Sequence, residues 1–290
     1  MLLGGVVAAA TLSSCATFDS NTAATVNGTD ISVDELDEIR TGLAEQPASF
    51  QLDTGNFDDT GAANGELTRQ ALSLLIDNEV IRTALDDAGA PVTDEALAAV
   101  SDQLSASGGD TGLPAAVQAA LAYQSAGSAA LDALEPADPA SFETAYNERP
   151  ASTGVVCLEI ASAPTEAEAQ AAADALAAGT PVATSDTVAV NDGCVPLNTL
   201  ASAFPPEDVA WFLAAGPGDV SEIFPPSAAD TASYQVIKMQ TWDDALEKFT
   251  TVVTSSPGDL AKAAAFLTAD IAVASEYGRW DIVSQSVVPV

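Results

Sequence analysis

The chain has 290 residues, of which 48% are hydrophobic, with 42 acidic and 8 basic residues, no histidine and a net charge of −34. Its length suggests about two domains, and its hydrophobic content suffices for a folded core. Nucleic acid is excluded as a partner, because phosphate binding requires clustered Lys and Arg. Without histidine, serine–histidine triads and histidine-ligated zinc sites are excluded as well. We predict neither a cofactor nor a metal site.

The N-terminus begins with an apolar stretch, residues 2–10, that is too short to span a bilayer and is typical of the core of a secretory signal. The stretch leads to Leu12-Ser13-Ser14-Cys15, which resembles the bacterial lipobox. In that motif the cysteine receives diacylglycerol and becomes the mature N-terminus. We therefore expect a signal peptide over 1–14, lipid on Cys15 and a tether over 15–23. No basic residue precedes the apolar stretch, which leaves the true start of the signal open, and the alternative is a buried segment with an incidental cysteine.

The residues after the tether predict a helical lobe over 24–150. Asn27-Gly28 between two short apolar runs indicates a β-hairpin. Ser32 and Glu35 form a capping-box pattern, which predicts that a helix begins there. Helical spacing of apolar residues and Gly or Pro breaks predict further helices over about 66–88, 91–107, 114–134 and 139–147.

The pattern changes after Pro150 and predicts a compact α+β unit over 151–241. We expect strands and helices in alternation: a strand over 154–161, a helix over 165–178, a short extended segment over 186–190, a helix over 206–214, a strand after Gly218 and a strand over 233–240. A helix over 242–255, a second helix reaching about Glu276 and an apolar tail complete the chain.

Two cysteines remain besides Cys15. In an oxidising compartment Cys157 and Cys194 are expected to pair, and the bridge would stabilise the fold by ~3–4 kcal/mol through loop-closure entropy. The alternatives are two buried free thiols or one catalytic thiol, which would require a cationic neighbour.

The order of a helical region, an α+β unit and closing helices resembles the SurA/PrsA class of exported chaperone-foldases. Residues 24–32, ATVNGTDIS, are similar to the opening of the SurA-like N-terminal domain. Residues 151–241 resemble a parvulin-type peptidyl-prolyl isomerase in layout, with Asn191-Asp192-Gly193-Cys194-Val195 near the usual glycine-rich turn. The resemblance implies an α+β fold, in which the lobe at 24–150 is completed by residues 242–290. Segments 24–26 and 279–283 are expected to pair as strands.

The parvulin-like unit departs from the family at the catalytic positions. Active parvulins have one histidine in the first strand and one in the last, where this chain has Cys157 and Gln235. The resemblance places Asp186 at the family's middle polar position. Loss of both histidines implies a degenerate site with weak or absent isomerase activity. A Cys157–Cys194 disulfide would cross-link the chain at that site.

The resemblance implies a lipid-anchored, extracytoplasmic protein at the bacterial cell membrane that binds unfolded exported polypeptides. We expect the peptide contacts in a cleft between the two lobes, and the candidates are Leu200, Phe204, Trp211 and Phe212. One alternative is an active peptidyl-prolyl isomerase that uses Asp186 and a free Cys157. Another is a binding or assembly lipoprotein without chaperone activity.

Overall fold

The computed structural model describes residues 21–45, 64–106, 112–185, 187–200, 204, 206–226, 233–282 and 284–290. In chain order the strands are β1 (Thr22–Val26), β2 (Thr29–Ser32), β3 (Val155–Ala163), β4 (Ala189–Pro196), β5 (Tyr234–Met239), β6 (Ile271–Val273), β7 (Arg279–Asp281) and β8 (Ser286–Val288). The helices are α1 (Val33–Glu45), α2 (Gly65–Asp87), α3 (Asp94–Ala106), α4 (Ala115–Asp132), α5 (Glu143–Glu148), α6 (Glu166–Ala177), α7 (Pro206–Ala214), α8 (Trp242–Ser255) and α9 (Pro257–Thr268). This mixture confirms the predicted α+β class.

Two antiparallel sheets organise the molecule, with strand orders β2-β1-β6 and β4-β3-β5. We call the first sheet together with α1–α4 and α9 the first lobe. The second sheet together with α5–α8 is the second lobe. The hairpin of β7 and β8 lies against the first lobe, since Val287 is part of its core.

The first lobe opens with the predicted hairpin. Asn27 and Gly28 both have positive φ, 51° and 82°, which is the conformation of a tight turn that matches strand twist. The hydroxyl of Ser32 accepts a hydrogen bond from the Glu35 N–H at 3.1 Å, so the cap fixes the start of α1 directly after the hairpin. The strand β1 begins at Thr22, inside the stretch predicted as a tether.

Close helix packing forms the body of the first lobe. A Cβ atom at Gly127 of α4 would lie 2.5 Å from Ile81 Cγ2 of α2, and a Cβ atom at Gly42 of α1 would lie 2.4 Å from Val117 Cγ2. Both glycines therefore permit an approach that a larger residue would prevent. The helix α3 has no fully buried residue and lies at the periphery.

The end of the chain completes the first sheet. Residues 271–273, predicted as the end of a helix, form β6 and pair antiparallel with residues 24–26 of β1. The prediction that 279–283 pairs with 24–26 is therefore wrong, because 279–281 pairs with 286–288 instead. The β-branched residues Ile271 and Val273 favour an extended strand, and the ladder with β1 satisfies their backbone groups.

The second sheet differs from the sequence prediction in β4. The expected turn at 191–195 is part of a continuous strand, in which Ala189–Pro196 pairs with Val155–Ser162 of β3. Pairing along the whole length of β3 overrides the local turn preference of Asn191-Asp192-Gly193. The strand expected after Gly218 consists of two isolated bridges, Val220 to Lys238 and Phe224 to Gln235.

Aromatic packing joins α5 and α8 to the second sheet. Tyr146 is fully buried, and its ring lies 5.3 Å from that of Trp242 and 5.7 Å from that of Phe249. Its hydroxyl donates a hydrogen bond to the Gln240 carbonyl oxygen at 3.1 Å. Burial raises the pKa of this hydroxyl, so it remains a donor at neutral pH.

Candidate functional site

An open groove lies between β2, α1, α2 and α4 of the first lobe, with a volume of about 510 Å³. We call it the first-lobe groove. Its floor is apolar, and it is lined by Ile31, Ile39, Leu75, Ala116, Ala119, Ala120 and Tyr123. Ala116, Ala119, Ala120 and Tyr123 share one face of α4, because they follow helical spacing. The small alanine side chains leave the space between α4 and its neighbours unfilled.

The rim of this groove is acidic. It consists of Asp30, Glu35, Glu38 and Glu79, with Arg82 as the basic residue among the groove-lining side chains. The Arg82 guanidinium pairs with Glu79 and also donates to Asp86 Oδ2 at 2.8 Å. The hydrogen bond to Glu79 raises the pKa of Arg82, so this charge is fixed within α2. The rim therefore keeps a negative potential.

The pKa of Glu35 shows that the rim carboxylates lie close enough to repel one another. Burial raises its pKa, and the negative charges of Glu79 and Glu38 raise it further, while a hydrogen bond from the Ser32 backbone opposes the shift. A bound cation would lower the energy of these carboxylates by relieving their mutual repulsion.

The second lobe contains the disulfide that the oxidising-compartment argument favoured. Cys157 of β3 and Cys194 of β4 are directly opposite in register, and their sulfur atoms are bonded. Cys157 is completely buried against Phe249 and Trp242 of α8. A bridged, buried sulfur cannot act as a free catalytic thiol.

The structure does not bring the expected catalytic positions together. Gln235 of β5 is opposite Ser162 of β3, whereas the Cys157 carbonyl accepts a hydrogen bond from the Gln240 N–H. Cys157 and Ser162 are an odd number of residues apart along β3, so Cys157 and Gln235 lie on opposite faces of the sheet, separated by roughly 17 Å along the strand. Asp186 lies outside the described residues. In the described structure Cys157 and Gln235 therefore do not line one pocket, as a catalytic site made of Cys157, Asp186 and Gln235 would require.

The expected peptide-contacting residues divide into two groups. Leu200 and Phe212 are buried in the core under the second sheet, so they are unavailable as a binding surface. Phe204 and Trp211 are half-buried, and their rings pack at 4.9 Å and 5.2 Å from that of Phe212. The two aromatic rings pack against Phe212, so Phe204 and Trp211 alone of this set have surface for a peptide, and their role in binding stays a prediction.

The expected cleft between the lobes is reduced to a small pocket of about 10 Å³, which lies between Leu197, Val209 and Leu213 of the second lobe and α9. The helix α9 lies at the junction, where Phe266 belongs to the core of the first lobe and Leu267 packs against that of the second. Lys262 of the same helix reaches Asp77 of α2 at 3.1 Å. The first-lobe groove is consequently the better candidate for a binding site.

Sequence reasoning missed the first-lobe groove, although two signals for it were present. One is the alanine face of α4, and the other is the number of acids at the start of α1. Neither signal shows which helices meet, so only the assembled lobe reveals a groove. Within the described ranges, no group of three His, Cys, Asp or Glu side chains is arranged to hold a metal ion. None of the helices in those ranges is long and apolar enough to cross a membrane.

The described structure thus consists of a helical lobe that opens with a β-hairpin and bears an apolar groove, joined to a small α+β lobe. Residues 2–106 match the family described as the SurA-like N-terminal domain. This part of the chain is thus similar to the SurA-like N-terminal domain, as the opening of the sequence suggested. The match ends before the second lobe, so the parvulin-like resemblance of that lobe rests on the sequence alone.

Among solved structures, one match comes from work on the virulence factor PEB4 and the periplasmic protein Cj1289 of Campylobacter jejuni, described there as two structurally related SurA-like chaperones. The sequences are 10% identical, the alignment covers 87% of this chain and 98% of that chain, and the TM-score is 0.28. No curated protein matches the sequence. The match to the domain family over residues 2–106 is therefore the similarity on which the comparison of the first lobe rests.

Proposed function

We propose that the protein is an extracytoplasmic chaperone that binds unfolded exported polypeptides in the first-lobe groove. The observation that carries this proposal is an open groove with an apolar floor in the lobe that contains the residues similar to the SurA-like N-terminal domain, although α4 on one side of the groove lies beyond the matched residues 2–106. Grooves of several hundred Å³ with apolar walls accept side chains of an extended segment without titratable chemistry. Lipid on Cys15, which lies outside the described residues, would keep the protein at the membrane surface.

The test is an aggregation-suppression assay on a groove-blocked variant. Ala119 is exposed on α4 and lines the groove, so Ala119→Trp fills the space that a client side chain would occupy. Ala129→Trp is the matched control, because Ala129 is exposed on the same helix and does not line the groove. Both variants are made in the Cys15→Ser form, which lacks the lipid acceptor.

We expect Ala119→Trp to need roughly tenfold more protein for half-maximal protection of an unfolded client, which corresponds to about 1.4 kcal/mol of binding free energy. Ala129→Trp should protect like the parent. Equal protection by both variants would place client binding elsewhere, and no protection by the parent would refute the chaperone function.

We further propose that the second lobe lacks isomerase activity. The support is the bridged Cys157 and the position of Gln235 on the opposite face of the sheet. A proline-limited refolding assay should show no acceleration by this protein, with or without reductant. Acceleration after reduction would instead favour the alternative in which a free Cys157 contributes to catalysis.

A further inference from the structure

We propose that the first-lobe groove selects extended client segments that carry Lys or Arg beside apolar residues. This inference rests on the proposed function and names the client class for the same groove. The apolar floor accepts the hydrophobic side chains, and the acidic rim meets the basic ones. Charge complementarity of this kind mainly sets the specificity and the rate of association.

Three of the four rim carboxylates have no basic partner within the described residues. Asp30, Glu35 and Glu38 form no ion pair within the described residues, and Glu79 pairs with Arg82 of its own helix. The segments outside the described residues contain no Lys or Arg, so they supply no counter-ion either.

The other basic residues of the chain are bound elsewhere or are remote from the groove. Five of them pair with local carboxylates: Arg40 with Asp37, Arg69 with Glu66, Lys248 with Asp192, Lys262 with Asp77 and Arg279 with Asp281. Arg149 and Lys238 are not among the residues that line the groove. Arg82 therefore neutralises one of the four rim carboxylates, and within the described residues the other three lack a counter-charge, which a bound client can supply.

The described residues favour a cationic side chain over a metal ion as this counter-charge. They contain no group of three His, Cys, Asp or Glu side chains that could hold a metal ion, so the rim carboxylates, although close enough to repel one another, do not converge on one point. Such spacing suits long, flexible Lys and Arg side chains, whose alkyl stems pack on an apolar floor while their charged ends reach the rim. Ile39, Leu75 and Ala120 provide that floor.

The test compares three synthetic peptides with the same apolar residues and with Lys, Gln or Glu at two variable positions. Binding to the full Cys15→Ser protein is measured by fluorescence anisotropy at low and at physiological salt. We expect the Lys peptide to bind about tenfold more tightly than the Glu peptide at low salt, and the difference to shrink as salt screens the charges.

A variant of the rim distinguishes binding of the Lys side chains by the rim carboxylates from the general attraction of any cationic peptide to an acidic protein. Glu35→Gln/Glu38→Gln removes two rim charges, whereas Glu95→Gln/Glu247→Gln removes two charges from exposed positions outside the groove. The rim variant should bind the Lys peptide about three- to tenfold more weakly, while the control should retain its affinity. Thermal melting of both variants verifies that they are folded.

The outcomes distinguish this inference from the proposed function. Equal affinity for the Lys, Gln and Glu peptides would refute charge selection and leave client binding intact. An equal loss of affinity in the rim variant and in the control would also refute it, because the preference would then come from net charge. If none of the peptides binds, the proposed client-binding function fails together with this inference.

Discussion

At the scale of single residues, the ion pair between Lys262 and Asp77 joins α9 to α2 within the first lobe. The two side chains are 25% and 17% exposed, and Lys262 also lies 5.6 Å above the centre of the Phe266 ring. Burial raises the pKa of Asp77, and the charge of Lys262 opposes that shift. Because this pair is more shielded than a surface pair, losing one partner leaves a poorly solvated charge.

We predict that Lys262→Met lowers the free energy of unfolding by about 1–2 kcal/mol at pH 7, a value between those of exposed and buried pairs. Without Lys262 the pKa of Asp77 rises further. A carboxyl with a raised folded-state pKa destabilises the protein above that pKa and takes up a proton as the pH falls through it. The loss relative to wild type should therefore be smaller at pH 4 than at pH 7.

Urea unfolding of wild type and variant at the two pH values measures this difference. Lys248→Met is the control, because its pair with Asp192 is more exposed and should contribute only about 0.5 kcal/mol or less. A loss at pH 4 as large as that at pH 7 would contradict the assigned role of Asp77.

A contact between two particular residues could be predicted from the sequence only where a side chain has very few chemically possible partners. Cys157 and Cys194 were the obvious pair once Cys15 was assigned to lipid. The relation between Cys157 and Gln235 could not be predicted in the same way, because the register of β3 and β5 decides which residues are opposite. A shift by one residue moves a side chain to the other face of a sheet.

At the scale of elements, α2 and α4 approach closely where Gly127 faces Ile81. Alanine has the higher helix propensity by about 1 kcal/mol, so Gly127→Ala would stabilise an isolated helix. In the folded protein its Cβ atom would collide with the branched Ile81 side chain. We predict a net destabilisation of about 1–3 kcal/mol, as is usual for overpacking.

A double-mutant cycle isolates this contact. In an Ile81→Ala background, the methyl group that Gly127→Ala would meet is absent, so the added Cβ atom should be neutral or stabilising. Denaturant unfolding of the four proteins gives the coupling energy. Equal effects of Gly127→Ala in both backgrounds would show that the two helices do not approach as closely as described.

Elements with local stop and start signals were predictable, and elements made by distant partners were not. Thr165 caps α6, and Pro206 begins α7, so both helices agree closely with their predicted bounds. The full length of strand β4 could not be predicted, because its Asn-Asp-Gly sequence locally favours a turn. These residues are extended because they pair with β3. The strand β6 followed an alanine-rich helix, and only the exposed edge of β1 explains why the helix ends at Thr268.

At the scale of the whole molecule, the net charge of −34 opposes adhesion to an anionic membrane surface. Attachment by lipid on Cys15 would not depend on that charge. We predict that the wild-type protein stays in the membrane fraction through a high-salt wash, and that Cys15→Ser moves to the soluble fraction. A single acyl chain anchors only marginally, whereas a diacylglyceryl group anchors firmly.

Cell fractionation and intact-mass analysis of the mature protein test this prediction. Ser14→Ala is the matched control, because alanine is also a small residue and should preserve processing. A mature N-terminus other than Cys15, or release of the wild type by salt, would contradict lipid attachment.

The overall arrangement was only partly predictable. Helical patterns indicated the first lobe, and the apolar tail suggested that the chain returns to it. The groove could not be predicted, because its floor and rim combine β2, α1, α2 and α4, whose relative positions no local pattern encodes.

The pairing of residues 24–26 with 271–273 also affects how the protein is made. Synthesis proceeds from the N-terminus, so β1 emerges long before its partner β6, and the whole second lobe lies between them in the sequence. Whereas N-terminal domains commonly fold while the rest of the chain is being synthesised, this lobe completes its sheet only when residues 271–273 are available. A prematurely terminated chain would lack β6 and leave the edge of β1 open. The fold thus ties completion of the first sheet to synthesis of residues 271–273, and until then the edge of β1 lacks its partner strand.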